Sequence, residues 1–337
     1  MINLKTSYLG IELKNPIIIG ASNLVSDTAN LKAAEKAGAA AIVFKSLFEE
    51  QIQLENYQLD NQMEEYDERN AEMVKLFPDM NHAGPQEHLH KLRKAKEAVS
   101  IPIIASLNAV YHESWIEYAK LIEDTGVDAL ELNFYSIPKD FKKSEKDIVN
   151  EQLAIVKEIK KTLNIPVSIK LSPYYTNILS FIAELDNAGV DGIVLFNRMF
   201  QPDIDLEKEE HFSPLNLSSE NDSRISLRFA GLLYGRTKAK ICTASGFMNG
   251  KDILKAIMAG ADAVQIVSTL YKHKISHISV ILNEMDEWMK SKNYNSLKEF
   301  KGKLSEKNTK DPFVYKRAQY IDLLLKSEDL LKTYSLR

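Results

Sequence analysis

The stretch DNAGVDGIVLFN, residues 186–197, runs from polar residues through a glycine into an apolar segment and stops at an asparagine. Three others repeat the design: EKAGAAAIVFK (35–45), EDTGVDALELN (123–133) and MAGADAVQIVS (258–268). In each, a glycine (Gly38, Gly126, Gly189 or Gly260) falls where a left-handed residue ends a helix. The apolar run that follows reads as a strand buried on both faces, as in a parallel sheet. PIIIGAS (16–22), IPIIASLN (101–108), IPVSIKLS (165–172) and AKICTASG (239–246) have the same character. Helical patterns over 30–37, 87–98, 114–125, 147–163, 176–188, 225–236 and 250–259 separate most of these eight strands, and a long helix at about 276–290 follows the last. Eight βα units predict an α/β fold, a single (β/α)8 TIM barrel over about 16–291. The competing doubly wound sheet is disfavoured by the lack of G-x-G-x-x-G after the first strand.

Two insertions interrupt the spacing, an acidic one after strand 2 (48–86) and a loop-like one after strand 6 (198–224). Both leave C-terminal strand ends, so both are expected to cover the face where barrel enzymes place their chemistry. Residues 292–337 read as a helical tail, with Val314, Ala318, Ile321 and Leu325 spaced to pack on the outside of the barrel, and the 337 residues as one domain.

Forty-three Lys and Arg against 47 Asp and Glu are interspersed, giving a net charge of −4 and no basic stripe for nucleic acid. Apolar residues make up 45% of the chain, enough for a large core, yet no run is long enough to span a bilayer. A single cysteine, Cys242, excludes an internal disulfide and reads as a buried small side chain, and the N-terminus lacks a signal-peptide pattern; a cytoplasmic location is expected. His82, His88 and His90 cluster in sequence, but neighbours in H-x-H on a helix point to different faces, so they read as surface residues and no metal site is expected.

The strand ends carry Ala21–Ser22, Lys45–Ser46, Asn108, Asn133, Lys170, Asn197, Ser245–Gly246 and Ser268–Thr269. A strand that meets solvent turns polar in any case. Lys45 and Lys170 stand apart, because each follows several apolar residues, where a lysine needs a partner. Two such lysines facing one pocket imply an anionic or electron-rich small molecule.

The stretches YLGIELKNPIIIGAS, FKSLFEEQ, DALELNFYSIP, VSIKLSPYY, GIVLFNRMFQPDIDL, SGFMNGKDILKAIMAGADAVQIVSTL and SLKEFKG together resemble the dihydroorotate dehydrogenase family, in its divergent "dihydroorotate dehydrogenase-like" branch, over nearly the whole chain. The resemblance implies an FMN-dependent barrel and a homodimer acting on a planar, polar, anionic substrate. Residue by residue, it implies that Ala21, Ser22, Lys45, Ser46, Asn108, Asn133 and Asn197 adjoin the flavin. Lys170 matches the lysine at the flavin N1/O2 edge, and Ser245, Gly246, Ser268 and Thr269 match the phosphate loops. Lys45, Asn81, Asn133, Asn197 and Arg198 fall at the substrate, and Ser136 takes the place of the proton-accepting residue, with Lys45 and Lys170 beside it as catalytic candidates.

Several positions depart from the pattern. Thr243-Ala244-Ser245-Gly246 keeps only the last glycine of a glycine-rich stretch, Val267 replaces another glycine, and the hydroxyls of Ser245 and Ser268 are candidates to compensate. Pro138 stands where a second substrate asparagine is expected, and Pro85-Gln86-Glu87 breaks the second half of the loop that begins at Asn81. Arg198 reads equally as a surface arginine or as a clamp for a carboxylate or phosphate; Phe196 reads as core, although it, Met199 and Phe200 could wall a flavin pocket. Dihydroorotate oxidation is the named reaction the resemblance implies. The same flavin chemistry on another substrate, a flavin-free lyase or aldolase with Lys170 or Lys45 as Schiff base, and a non-catalytic flavoprotein subunit are the alternatives.

Overall fold

The computed structural model describes residues 2–50, 52, 85–134, 140–198, 201–214, 216–316 and 319–325. Asn81, His82, Ser136, Pro138, Met199, Phe200, Ala318 and most of the insertion after strand 2 lie outside the described residues.

The eight apolar runs form eight parallel strands: Ile17–Ile19, Ala41–Val43, Ile103–Asn108, Ala129–Asn133, Val167–Leu171, Gly192–Leu195, Lys240–Thr243 and Ala263–Ile266. Each pairs with its sequence neighbour, and the eighth pairs with the first (Val264 opposite Ile17), so the sheet closes into a barrel. A doubly wound sheet is thereby excluded. Helices Thr28–Ala37, Gln86–Ala98, His112–Glu123, Glu145–Thr162, Ile178–Asn187, Ser223–Leu233 and Gly250–Ala259 connect the strands, and His277–Ser291 follows the eighth.

The repeat that reveals the strands also ties them together. Two residues after Gly126, Gly189 and Gly260 stand Asp128, Asp191 and Asp262, each at the foot of an even-numbered strand. Each carboxylate accepts the N–H at the foot of the preceding strand: Ile103 (2.7 Å), Val167 (2.8 Å) and Ile241 (2.9 Å). Each is also paired with a lysine, Lys96, Lys160 and Lys301 respectively. The first repeat lacks the aspartate, and Asn15 does the work there, accepting the Ile17 N–H and donating to the Gly38 carbonyl. These side chains satisfy backbone groups that closure of the barrel would otherwise leave unpaired.

Two apolar layers result. One lies between strands and helices; the other fills the barrel, where small side chains (Ala41, Ala129, Cys242, Ala244 and Ala263) alternate with larger ones such as Ile18, Ile104 and Val194. Cys242 is buried, as expected, and burial pushes its thiol well above the usual range. Tyr8, Leu9 and Leu13, from an antiparallel hairpin (Thr6–Tyr8 with Ile11–Leu13), belong to the same inner layer. Leu9 and Gly10 both have positive φ, the turn that matches the twist of a two-residue hairpin. Gly192 makes room for this plug, since a Cβ there would lie 2.8 Å from both the Tyr8 hydroxyl and Leu9.

Two expectations change. The insertion after strand 6 is not a plain loop: Asp203–Asp205 and Glu210–Phe212 pair as an antiparallel hairpin, followed by a short 3-10 turn at Glu220–Asp222. The tail packs through Leu297 and Phe300 rather than through its expected helical stripe. Among the described residues its helix covers Gln319–Leu325, and Val314, Ile321 and Leu325 are exposed.

Candidate active site

The C-terminal strand ends converge on a cavity of about 520 Å³, within the range of small-molecule sites. Ala21, Ser22, Lys45, Ser46, Asn108, Asn133, Lys170, Asn197, Arg198, Ser245, Gly246 and Ser268 all line it. Among the described candidates Thr269 alone turns away. It is fully buried and its hydroxyl donates to the Met248 carbonyl (2.8 Å), because the helix Ser268–His273 starts there and rotates the next side chain inward.

Strand alternation sets the floor. Residues 129, 131 and 133 share one face of the fourth strand, and Asn133 lies opposite Lys170 in register. The Lys170 ammonium donates to the Gln265 side-chain oxygen (2.9 Å) and lies 3.5 Å from Glu131 Oε1. Gln265 Nε2 in turn donates to Glu131 Oε2 (2.5 Å). The amide orientation is fixed by chemistry: a lysine only donates and a carboxylate only accepts. Gln265 and Glu131 carry no signal at a strand end. The only hint of them is a polar letter inside an apolar run, AVQI and ALEL.

On one wall, Asn133 Nδ2 donates to Ser106 Oγ (2.7 Å), which is 2.6 Å from Ser46 Oγ. With its amino group engaged, Asn133 presents its carbonyl oxygen as the acceptor available to a ligand. On the opposite side, Ser218 enters from the second insertion. Its hydroxyl accepts the Gly246 N–H (3.2 Å) and donates to Ser268 Oγ (2.8 Å), which also accepts the Ser218 N–H (3.0 Å). Ser268 thus keeps its own proton to donate. The Ser245 hydroxyl donates its hydrogen bond to the Phe196 carbonyl (3.2 Å), so of the two hydroxyls expected to replace lost glycines only Ser268 remains a donor. Ser245 also takes φ +71°, a left-handed conformation that is easy for glycine. Gly246, at φ +82°, has no room for a side chain, because a Cβ would lie 2.4 Å from the Ser223 nitrogen.

Arg198 is neither a free surface arginine nor an unengaged clamp. It lines the cavity while paired with Asp222 (2.5 Å). Burial opposes ionisation of Asp222, but the Ser219 N–H and Arg198 hold its carboxyl below the ordinary range. Phe196 is buried as expected, yet also contributes to the cavity wall. Phe48, Asn216, Leu217 and Tyr271 line the cavity without having been anticipated; Asn216 and Leu217 come from the second insertion, Phe48 from a two-residue strand (Leu47–Phe48) and Tyr271 from the helix Ser268–His273, none with a distinctive pattern. The surface reading fails for His88. It packs edge-on against Phe44 (5.6 Å between centroids), its Nε2 is buried without a partner, and burial, Lys45 and Lys91 push it down to about 4. His90, two residues on, is exposed. Among the described residues no group of His, Cys, Asp and Glu could hold a metal ion, and no helix is long and apolar enough to cross a membrane.

An α/β barrel with a polar, lysine-floored cavity at its C-terminal mouth has the layout of a barrel enzyme. The chain belongs to the dihydroorotate dehydrogenase family, whose sequence model, described as "Dihydroorotate dehydrogenase", matches residues 3–289. A Thermoplasma volcanium protein named "Dihydroorotate dehydrogenase B (NAD(+)), catalytic subunit" is 32% identical over 281 residues, covering 81% of this chain and 89% of that protein. A Methanocaldococcus jannaschii protein with the same name is 28% identical over 305 residues, covering 86% of this chain and 94% of its own length. A Thermoplasma acidophilum relative, also so named, is 28% identical over 320 residues and is covered to 99%.

Proposed function

We propose that the chain is an FMN-dependent oxidoreductase that removes two hydrogens from a CH–CH bond beside a carbonyl, with dihydroorotate to orotate as the reaction. Membership of the family carries this reading. The cavity supports it independently: Ser22 Oγ and Asn197 Nδ2 both line it as buried polar atoms without a hydrogen-bond partner, which a polar ligand would satisfy. FMN would supply the two-electron acceptor. It would be held by Ala21, Ser22, Asn108, Asn133, Asn197 and Lys170 around the cavity, and by Ser268 as a donor at the strand 7 and 8 loops, in a cradle shaped by Gly246, Ser245 and, from the second insertion, Ser218.

The residues of the chain then divide the work. Lys170 places a fixed positive charge at the floor, where negative charge develops on reduction of the ligand. Asn133 offers an acceptor and Asn197 a donor, which together orient a planar group. Lys45 sets a second cation at the wall for an anionic substrate, and Arg198, restrained by Asp222, a third. In this proposal Asn81 contacts the substrate and Ser136 takes the proton that leaves the carbon adjacent to the site of hydride loss. A homodimer belongs to the same proposal, on the strength of the resemblance.

One observation favours a second reading, the same chemistry on a different substrate. Where the resemblance calls for a continuing substrate loop after Asn81, Pro85 instead leads into the helix Gln86–Ala98. One experiment separates the readings. The purified protein is expected to be yellow, or to take up FMN one to one, and to be bleached anaerobically by dihydroorotate. A yellow protein that only other enone-forming donors bleach supports the second reading; a colourless protein that takes up no FMN contradicts both.

A further inference from the structure

Glu131 is fully excluded from solvent in the middle of the barrel, and its Oε1 has no hydrogen-bond partner. Burying a carboxylate is costly even when it is paired, as here with Lys170 and Gln265, and well-packed apolar groups in place of such a pair are often no less stable. Packing therefore does not account for it. Its surroundings do. Small side chains (Ala129, Cys242, Ala263) leave space in the barrel interior, and three long polar ones fill it: Glu131 from strand 4, Lys170 from the adjacent strand 5 and Gln265 from strand 8. Gly20 contributes to the same fit, since a Cβ there would lie 3.3 Å from Gln265 Oε1 and 2.9 Å from Val267. Of the three, only Lys170 and Gln265 reach the cavity lining; Glu131 stands behind them.

Two consequences follow from the geometry. Gln265 holds the ammonium with its oxygen, while its nitrogen is held by Glu131, so the carboxylate fixes the amide that fixes the lysine. Glu131 Oε1, at 3.5 Å, also opposes the lysine's charge in a setting with little solvent to screen it. We infer that Glu131 is a positioning residue which, through Gln265, sets both the place and the net strength of the positive charge that Lys170 presents to the cavity. Resting on the FMN reading above, the inference makes Glu131 the group that limits how far the site favours a negatively charged form of the bound ring.

Sulfite is a direct probe of that charge. Its lone pair forms an N–S bond to the flavin N5, and the displaced electron pair becomes negative charge on the N1–O2 side of the ring, with no other reagent needed. Glu131→Gln and Glu131→Met both remove the charge; the first keeps a side-chain oxygen that can still accept from Gln265, while the second leaves Lys170 without its carboxylate and is expected to be the less stable, so Glu131→Gln is the variant expected to fold. Thermal melting checks this for each. In the FMN-loaded protein the sulfite dissociation constant is expected to fall about tenfold or more in Glu131→Gln, since less of the Lys170 charge is then offset. In a Lys170→Met background the same substitution is expected to change it by less than about threefold. FMN-loaded variants whose sulfite affinity equals that of the unmodified protein overturn the inference and leave the proposed function standing. An equal shift without Lys170 overturns it too, since Glu131 would then act on the ring directly. Failure of the unmodified protein to take up FMN removes the proposed function and the inference together.

Discussion

Gly246→Ala perturbs the cradle formed by the strand 7 and 8 loops at a point where the structure fixes the cost. The residue has φ +82°, which an L-residue adopts at roughly 1–2 kcal/mol. The new Cβ would lie 2.4 Å from the Ser223 nitrogen, 2.7 Å from the Ser219 carbonyl oxygen and 2.9 Å from the Asp222 carbonyl carbon. All three are backbone, so no side chain can rotate away, and overpacking of this kind adds about 1–3 kcal/mol. The sum is about 2–5 kcal/mol. With unfolding entropy near 2.1 cal/mol/K per residue, a chain of 337 residues loses roughly 1.4 °C per kcal/mol, or about 3–7 °C in melting temperature. Gly10→Ala is the control: φ is +74° but nothing lies within 4 Å of the added methyl, so only the conformational cost of roughly 1–2 kcal/mol applies. Relief of the clash must move residues 219–223 and with them Ser218, which holds the Gly246 N–H and Ser268. Differential scanning calorimetry and a fluorescence titration with FMN read the two effects. Gly246→Ala should melt below Gly10→Ala and bind FMN at least about tenfold more weakly, equivalent to about 1.4 kcal/mol. Equal melting temperatures and unchanged FMN affinity would refute the reasoning.

Further outcomes follow from other parts of the fold. Lys170→Ala should slow reduction of the flavin by substrate far more than it weakens FMN binding, measured by anaerobic stopped flow and by titration; equal losses contradict the role given to its charge. His88 is held neutral in the fold down to about 4 while an unfolded histidine protonates near 6.5, so the unfolded chain binds more protons between these values and stability falls as pH drops through that window. The loss is on the order of 2 kcal/mol, and melting curves of His88→Phe from pH 4.5 to 7.5 should be correspondingly flatter than those of the parent. Asp262→Ala removes the partner of the Ile241 N–H and of Lys301 at a site 6% exposed and should cost about 2–4 kcal/mol in urea unfolding. Asp128→Ala, at a wetter site, should cost less.

The barrel was legible because its determinants are local. A glycine and an apolar run recur, and each has one structural use: stopping a helix and filling a two-sided strand. Strand-end residues were legible for a related reason, since closure of the barrel brings eight such ends to one mouth whatever the loops do. What escaped depends on side chains meeting across the barrel. Gln265 reaches Lys170 from three strands away and Glu131 from four in the closed sheet, contacts no spacing encodes. Ser218 is one serine among several in a polar insertion until the fold lays it on Ser268. The helix start at Ser268 turns the Thr269 side chain away from the cavity, which leaves its backbone N–H as the group of that residue expected at a phosphate. His88 looked superficial because helical phase alone does not reveal that Phe44 and Lys45 stand over it.

The central claim is that this lysine-floored cavity holds FMN and passes to it two electrons taken from dihydroorotate. The most direct measurement is the absorbance spectrum of the FMN-loaded protein, recorded anaerobically before and after one equivalent of dihydroorotate. Loss of the visible absorbance of the oxidised flavin, with orotate formed in equal amount, is the predicted result; an unchanged flavin band, or no flavin bound at all, would contradict it.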